Sequence, residues 1–236
     1  MTKFKNLSSS EDINKWINEV YFECKSSYPL PPAGRMLSTA VDIGANVGGF
    51  CLHAHSKFEK IYAFEPLKQN YHILQQVILQ RGLTNVEAYC NAVYSESGKA
   101  LSLVRPENNI SGDVFCSEEG NTLAIEKCET ISLSDIIKTL NISKIDYLKM
   151  DCEGAEYDIF ENFNDFDKIF IIALELHEVG DYPLLKKEAL LKKLHEHYVF
   201  IRNHKGRVTV EEARTSSEAQ DYKDFINESA LILFKR

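Results

Sequence analysis

Two short stretches of the 236-residue chain bring together the residue types that hold a nucleoside. One is Val41-Asp42-Ile43-Gly44-Ala45-Asn46-Val47-Gly48-Gly49, an apolar strand that ends in a glycine turn and passes into a helical pattern over residues 47–57. The other is Ile61-Tyr62-Ala63-Phe64-Glu65-Pro66, a second strand with a carboxylate at its tip. A glycine turn into a helix presents free backbone N–H groups, and Gly48 and Gly49 are expected to let a ligand approach the backbone there. A carboxylate at the tip of the next strand can accept both hydroxyls of a ribose. Glu65 follows Asp42 at about the 20-residue spacing of one strand–helix–strand unit, so the pair predicts a site for an adenosine.

Charge and glycine order narrow the ligand. A dinucleotide turn reads G-x-G-x-x-G, whereas the glycines here stand at Gly44, Gly48 and Gly49. Asp42, just ahead of the turn, would repel a pyrophosphate and favour the ammonium and sulfonium groups of S-adenosylmethionine. S-adenosylmethionine, leaving as S-adenosylhomocysteine, is therefore the expected cofactor. An NAD-dependent oxidoreductase or epimerase and a cofactor-binding scaffold without turnover are the competing readings.

A third stretch, Tyr147-Leu148-Lys149-Met150-Asp151-Cys152-Glu153-Gly154-Ala155-Glu156, delivers three carboxylates and a lysine at the end of an apolar strand. A fourth, Leu174-Glu175-Leu176-His177, ends another. Ligands of open α/β sheets lie beyond the carboxyl ends of the strands, which collects Asp42, Glu65, Asn91, Asp151, Glu153, Glu175 and His177. His177 or Asp151 is expected to take the proton from an acceptor hydroxyl, because imidazole titrates near neutral pH. Glu153 is expected at a helix start, where the dipole favours an anion. Asn91 reads equally as an adenine contact and as a turn residue, and Lys149 is expected to pair with a neighbouring carboxylate. Asp151, Glu153 and His177 have the ligand types for a divalent ion, but their convergence is not legible in the sequence and no metal is expected.

These residues must be positioned by alternating strands and helices. Strands are predicted around Val41, at 61–64, 86–89, 145–150 and 169–176, with helices at 66–81, 134–140, 153–163 and 184–197. Such alternation means a mostly parallel sheet with helices on both faces. Residues 10–24 carry an apolar helical stripe that packs on the domain or over its site. Residues 1–35 are read as this helix and its linker and 36–236 as one α/β domain, with a β-hairpin or small-meander insertion at about 94–130 whose short strands fall at 100–104, 113–116 and 123–128. Two strands, 198–202 and 230–234, close the chain as an antiparallel edge.

Composition excludes several classes. Lys and Arg number 27 against 35 Asp and Glu, a net charge of −8, which argues against a nucleic acid partner. No apolar run approaches the roughly 18 residues of a membrane span and no signal peptide is evident, so a cytoplasmic location is expected. Six cysteines without a C-x-x-C pair read as reduced thiols. Oligomeric state is not legible.

The chain resembles the FkbM family of S-adenosylmethionine-dependent methyltransferases. The resemblance rests on the stretch 41–48, Phe64-Glu65-Pro66, Asn91-Ala92-Val93, Thr130-Ile131-Ser132-Leu133-Ser134-Asp135-Ile136-Ile137, the stretch 145–156 and Leu174-Glu175-Leu176-His177. It implies a three-layer α/β/α, Rossmann-like class I methyltransferase fold, its seven strands ordered 3-2-1-4-5-7-6. It also implies methyl transfer to a hydroxyl of a sugar, glycan or natural product. Asp42, Gly44, Ala45, Asn46, Gly48, Glu65, Asn91, Ala92 and Asp151 are then the expected cofactor contacts, and His177, Asp151 and Glu153 the expected catalytic groups.

Overall fold

The computed structural model describes residues 9–31, 36–104, 115–117, 124–177, 183–202 and 221–236. Its main sheet has seven strands: β1 (Leu37–Ile43), β2 (Phe58–Phe64), β3 (Val86–Tyr89), β8 (Tyr147–Met150), β9 (Ile171–Glu175), β10 (Tyr198–Arg202) and β11 (Ala230–Lys235). They lie in the order β10-β11-β9-β8-β1-β2-β3. Counting only this sheet's own strands from the other edge, that is 3-2-1-4-5-7-6. All pairs are parallel except those made by β11, which runs antiparallel to both β9 and β10. The central strands read as apolar runs because they are covered on both faces, and every residue of β8 is buried.

The helices follow from local signals. Ser9 caps α1 (Ser10–Ser27) by accepting the Asp12 N–H, and Trp16, Ile17, Val20 and Cys24 form its buried stripe. The turn after β1 leads into a short α2 (Gly49–Ala54) and a single 3₁₀ turn (His55–Lys57). Gly82, left-handed at φ +63°, stops α3 (Lys68–Arg81). This helix starts two residues later than its proline suggests, because Glu65 Oε1 captures the Leu67 N–H and keeps residues 66–67 in a turn. Helix α4 (Leu133–Thr139), capped by Ser132, precedes β8. Helix α5 (Glu156–Glu161) is shorter than expected, because Glu153 (φ +55°) and Gly154 (φ +103°) are left-handed. Glu153 therefore sits in a turn and not at a helix start. Helix α6 (Pro183–His195) leads into β10.

The insertion is larger than a hairpin. Strand β4 (Ala92–Tyr94) runs parallel to β7 (Ala124–Ser132), which pairs antiparallel with β5 (Ala100–Val104), and β5 pairs with β6 (Phe115–Ser117), giving a second sheet in the order β4-β7-β5-β6. The chain re-enters an extended conformation three residues after β3, so Asn91-Ala92 stands at the junction between two sheets. Leu67, Ala92, Leu101, Leu103 and Cys128 form the small core beneath it. Residues 203–220 of the connection before β11, and residues 113–114 of a predicted strand, lie outside the described residues. No helix among the described residues is long and apolar enough to cross a membrane.

Candidate functional site

A cleft opens at the carboxyl ends of β1, β2, β8 and β9, where the topology reverses. Its first wall is the turn Gly44-Ala45-Asn46 with Phe64 and Glu65 of the neighbouring strand end. Glu65 is 6 % exposed, and its oxygens accept the N–H of Asn46 at 2.9 Å and of Leu67 at 3.0 Å. Burial pushes its carboxyl up to about 7, against the pull of those two N–H groups and of Lys149. Asn91, Ala92 and Val93 form the side of the cleft toward the small sheet. The Asn91 side-chain amide donates to the Glu129 carbonyl at 3.3 Å, which gives it a structural tie alongside its place in the wall. Asn70 of α3 also faces the cleft, and its Oδ1 is buried without a partner.

Asp42 and Gly48 do not line this cleft. Asp42 is wholly buried below it, with Lys149 Nζ 3.2 Å from its Oδ1. Burial raises the Asp42 carboxyl and Lys149 draws it back down. The ammonium itself stays protonated despite its burial, because Asp42 and Asp151 flank it. It donates to the carbonyls of Gly44 at 2.6 Å and Ile43 at 3.3 Å, so it ties the end of β1 to β8. The glycines also differ from their expected role. A Cβ on Gly49 would stand 2.6 Å from Val20 Cγ1 and 2.7 Å from the Val20 carbonyl oxygen, and one on Gly48 would meet Leu74 of α3 at 2.8 Å. The space they leave is taken by α1 and α3, not by a ligand. At Gly44 (φ +75°) the Cβ would fall 1.8 Å from the Asp151 carbonyl oxygen, so that residue must be glycine for β1 and β8 to end side by side.

The opposite wall comes from β8, β9 and α1. Asp151, Glu153, Glu175 and His177 all line it, with Tyr28 from the end of α1. The Tyr28 hydroxyl, on a ring 4 % exposed, donates toward Asp151 Oδ2 at 2.8 Å and stands 3.3 Å from Glu175 Oε2. Burial first, and then the charges of Asp151 and Glu175, push that phenol up. Glu175 is raised by its own burial and by Asp151. His177 Nδ1 lies 2.8 Å from Glu156 Oε1, while Nε2 faces Glu153 Oε2 at 3.5 Å and Asp151 Oδ1 at 3.8 Å. Burial works to lower the imidazole, but Glu156, Glu153 and Asp151 outweigh it and lift it to about 9. The carboxylates around the ring thus favour its protonated form, while Nε2 is the ring atom that faces the cleft carboxylates. One donor atom each from Asp151, Glu153 and His177 lies within 4.8 Å of the others.

The sequence reading therefore placed Gly44, Ala45, Asn46, Glu65, Asn91, Ala92, Asp151, Glu153 and His177 in the cleft wall, as found, and Asp42 and Gly48 there when they lie behind it. It missed Tyr28 and Asn70, counted Glu156 only among the three carboxylates of its stretch, and gave Glu175 no role. An apolar stripe announced α1, but nothing local says that its last tyrosine meets Asp151. An adenosine with a positively charged tail fits this donor set. Glu65 offers buried acceptor oxygens at one end, Asn70 Oδ1 lacks a donor, and the far end is rich in carboxylates.

The sequence profile of the methyltransferase FkbM domain matches residues 42–220. "Methyltransferase 1" of Beauveria bassiana (strain ARSEF 2860) is 25% identical over 207 residues, covering 78% of this chain and 81% of that protein. "Methyltransferase sdnD" of Sordaria araneosa is 28% identical over 155 residues, 53% of this chain and 60% of that protein. Among solved structures, methyltransferase FkbM from Methylobacillus flagellatus KT aligns over 93% of this chain and 50% of its own length, with 16% identity and a TM-score of 0.49.

Proposed function

The chain belongs to the FkbM family of S-adenosylmethionine-dependent methyltransferases, and on that premise we propose that it methylates a hydroxyl oxygen of a sugar, glycan or other natural-product acceptor. Family membership sets aside the NAD-dependent oxidoreductase. The observation that carries the finer reading is the division of one cleft between a ribose-type carboxylate, Glu65, and a cluster of ionisable side chains at the tips of β8 and β9.

S-adenosylmethionine, when bound, supplies an electrophilic methyl group on a sulfonium. Glu65 would hold the ribose hydroxyls with the lone pairs not used by Asn46 and Leu67, and the turn Gly44-Ala45-Asn46 would contribute to holding the rest of the cofactor. Asp151 and Glu175, joined through the Tyr28 hydroxyl, receive the proton of the acceptor. Glu175 suits that task because burial and its neighbour raise its basicity toward the operating pH. His177 holds Glu156 and faces Glu153 and Asp151, which fixes the orientation of the acceptor-side groups. The carboxylates at this end favour neutral polyhydroxy acceptors over phosphorylated ones.

The test is incubation with S-adenosylmethionine and a panel of hydroxylated sugars, glycans and polyketide alcohols, following S-adenosylhomocysteine release and methyl ethers by mass spectrometry. A methyl ether formed in step with S-adenosylhomocysteine is the expected result. Methylation confined to nitrogen or carbon would contradict the oxygen acceptor, and Glu175→Gln with unchanged turnover would remove Glu175 from the proton path.

A further inference from the structure

The acceptor end of the cleft gathers carboxylates around a histidine. Asp151, Glu153 and wholly buried Glu156 surround one imidazole, and Glu175 adds a fourth carboxylate through Tyr28. Lys149 is spent on Asp42 and on the carbonyls of Ile43 and Gly44, and its ammonium is 3.9 Å from Asp151. We propose that Asp151, Glu153 and His177 form a binding site for one divalent first-row cation. The site shares the cleft of the proposed methyl transfer and deepens that reading, but cation binding does not depend on turnover.

Three features support it. Two ligands at 2.0–2.2 Å from one ion stand about 2.8–3.6 Å apart at octahedral to tetrahedral angles. His177 Nε2 lies 3.5 Å from Glu153 Oε2, within that range, and 3.8 Å from Asp151 Oδ1, so the donors, all within 4.8 Å of one another, need to close by only a few tenths of an ångström to about one ångström on an ion. The second feature is the support behind the donors. Glu156 Oε1 takes His177 Nδ1 at 2.8 Å, which leaves Nε2 as the atom that faces the carboxylates, and Tyr28 fixes Asp151 through its other oxygen. Such outer partners orient metal-binding histidines and carboxylates. The third is independent of the donors themselves. Glu156 is 0% exposed and its Oε2 has no hydrogen-bond partner, so a buried anionic oxygen adjoins the imidazole with no donor or cation assigned to it. A cation on the far side of His177 compensates that charge through the ring. Two carboxylates with one imidazole suit Mn²⁺, Fe²⁺ or Mg²⁺ over softer ions. A cation there would lower the pKa of a coordinated acceptor hydroxyl and leave Glu175, outside the triad, to take its proton.

The test is titration of the full chain, stripped with chelator, with Mn²⁺ alone, read by calorimetry and electron paramagnetic resonance. One Mn²⁺ per chain is expected, with a nitrogen coupling from an imidazole in the pulsed spectrum. Asp151→Asn and His177→Ala should each weaken binding by at least about tenfold, and Glu156→Gln by about the same factor as an outer partner. Glu87→Gln, far from the cleft on β3, should leave it unchanged. Absence of Mn²⁺ binding by the wild-type chain, lack of a nitrogen coupling, or affinity unaltered in both Asp151→Asn and His177→Ala would overturn the site. A parallel titration with S-adenosylmethionine separates the two ideas: binding of the cofactor without Mn²⁺ defeats the cation site alone, and Mn²⁺ binding without the cofactor defeats the methyl-transfer reading alone.

Discussion

The two ends of the cleft are built by different means. At the β1–β2 end the backbone does the work: Glu65 is held by two main-chain N–H groups, and the turn Gly44-Ala45-Asn46 is fixed by β1, β2 and the carbonyl of Asp151. At the β8–β9 end side chains hold side chains, as Tyr28 reaches Asp151 and Glu175 and His177 reaches Glu156. Backbone bonds give a fixed frame for a ligand part that does not react. A side-chain cluster can redistribute protons, which the reacting end requires. Lys149 lies beneath both ends and joins them.

Breaking that junction should have the largest effect. Lys149→Met leaves Asp42 buried and unpaired, and a cost of about 3–5 kcal/mol is expected, read as a drop in the urea midpoint. Lys149→Met with Asp42→Asn should recover much of it, since the stranded charge is then gone. The position of α1 comes next. Gly49→Ala forces Val20 outward and should cost about 1–3 kcal/mol, seen as a lower thermal midpoint. Because Tyr28 moves with α1, that variant should harm the β8–β9 end more than cofactor affinity, and the reverse pattern would erase the distinction drawn between the ends.

A smaller effect sharpens the backbone-built end. Without ligand the Glu65 carboxyl titrates at about 7, above its ordinary 4.5, because it is buried. Ribose hydroxyls are accepted by the carboxylate, so below about pH 7 binding must first remove a proton. Affinity for S-adenosylmethionine should then rise up to about tenfold per pH unit, or 1.4 kcal/mol, from pH 5.5 toward 7 and level off above. For stability without ligand the sign is opposite. A carboxyl with a raised folded value binds more protons when folded, so stability is greatest below about 4.5 and falls as pH rises to 7. Glu65→Gln should flatten both profiles. The smallest change is expected for Tyr28→Phe, about 0.5–1.5 kcal/mol in stability, with cofactor affinity unaltered and the base limb of the pH–rate profile shifted.

The same division explains what the sequence made legible. Strand β1, its glycine turn and Glu65 are local signals, and the alternation of apolar strands with amphipathic helices fixed the main sheet and the strand tips where Asp151 and His177 stand. The role of each glycine was less accessible, because whether Gly49 faces a ligand or Val20 depends on where a helix more than twenty residues away is packed. Asp42 looked like a ligand contact for the same reason: only the fold shows Lys149, its register partner on the adjacent strand β8, holding its carboxylate at 3.2 Å. The antiparallel strands of the insertion are legible as short alternating stretches, but its parallel strand β4 is not, because it is three residues long and its partner β7 lies beyond the 29 residues 95–123. Tyr28, which meets Asp151 across more than a hundred residues, carries no local mark at all.

The most direct measurement is calorimetric titration of the chain with S-adenosylmethionine, S-adenosylhomocysteine and NAD, repeated on Glu65→Ala. Binding of the first two and not the third, weakened in the variant by roughly 2–3 kcal/mol as expected for a charged hydrogen-bond acceptor, is the predicted result. Binding of NAD instead, or S-adenosylmethionine affinity untouched by Glu65→Ala, would contradict the account.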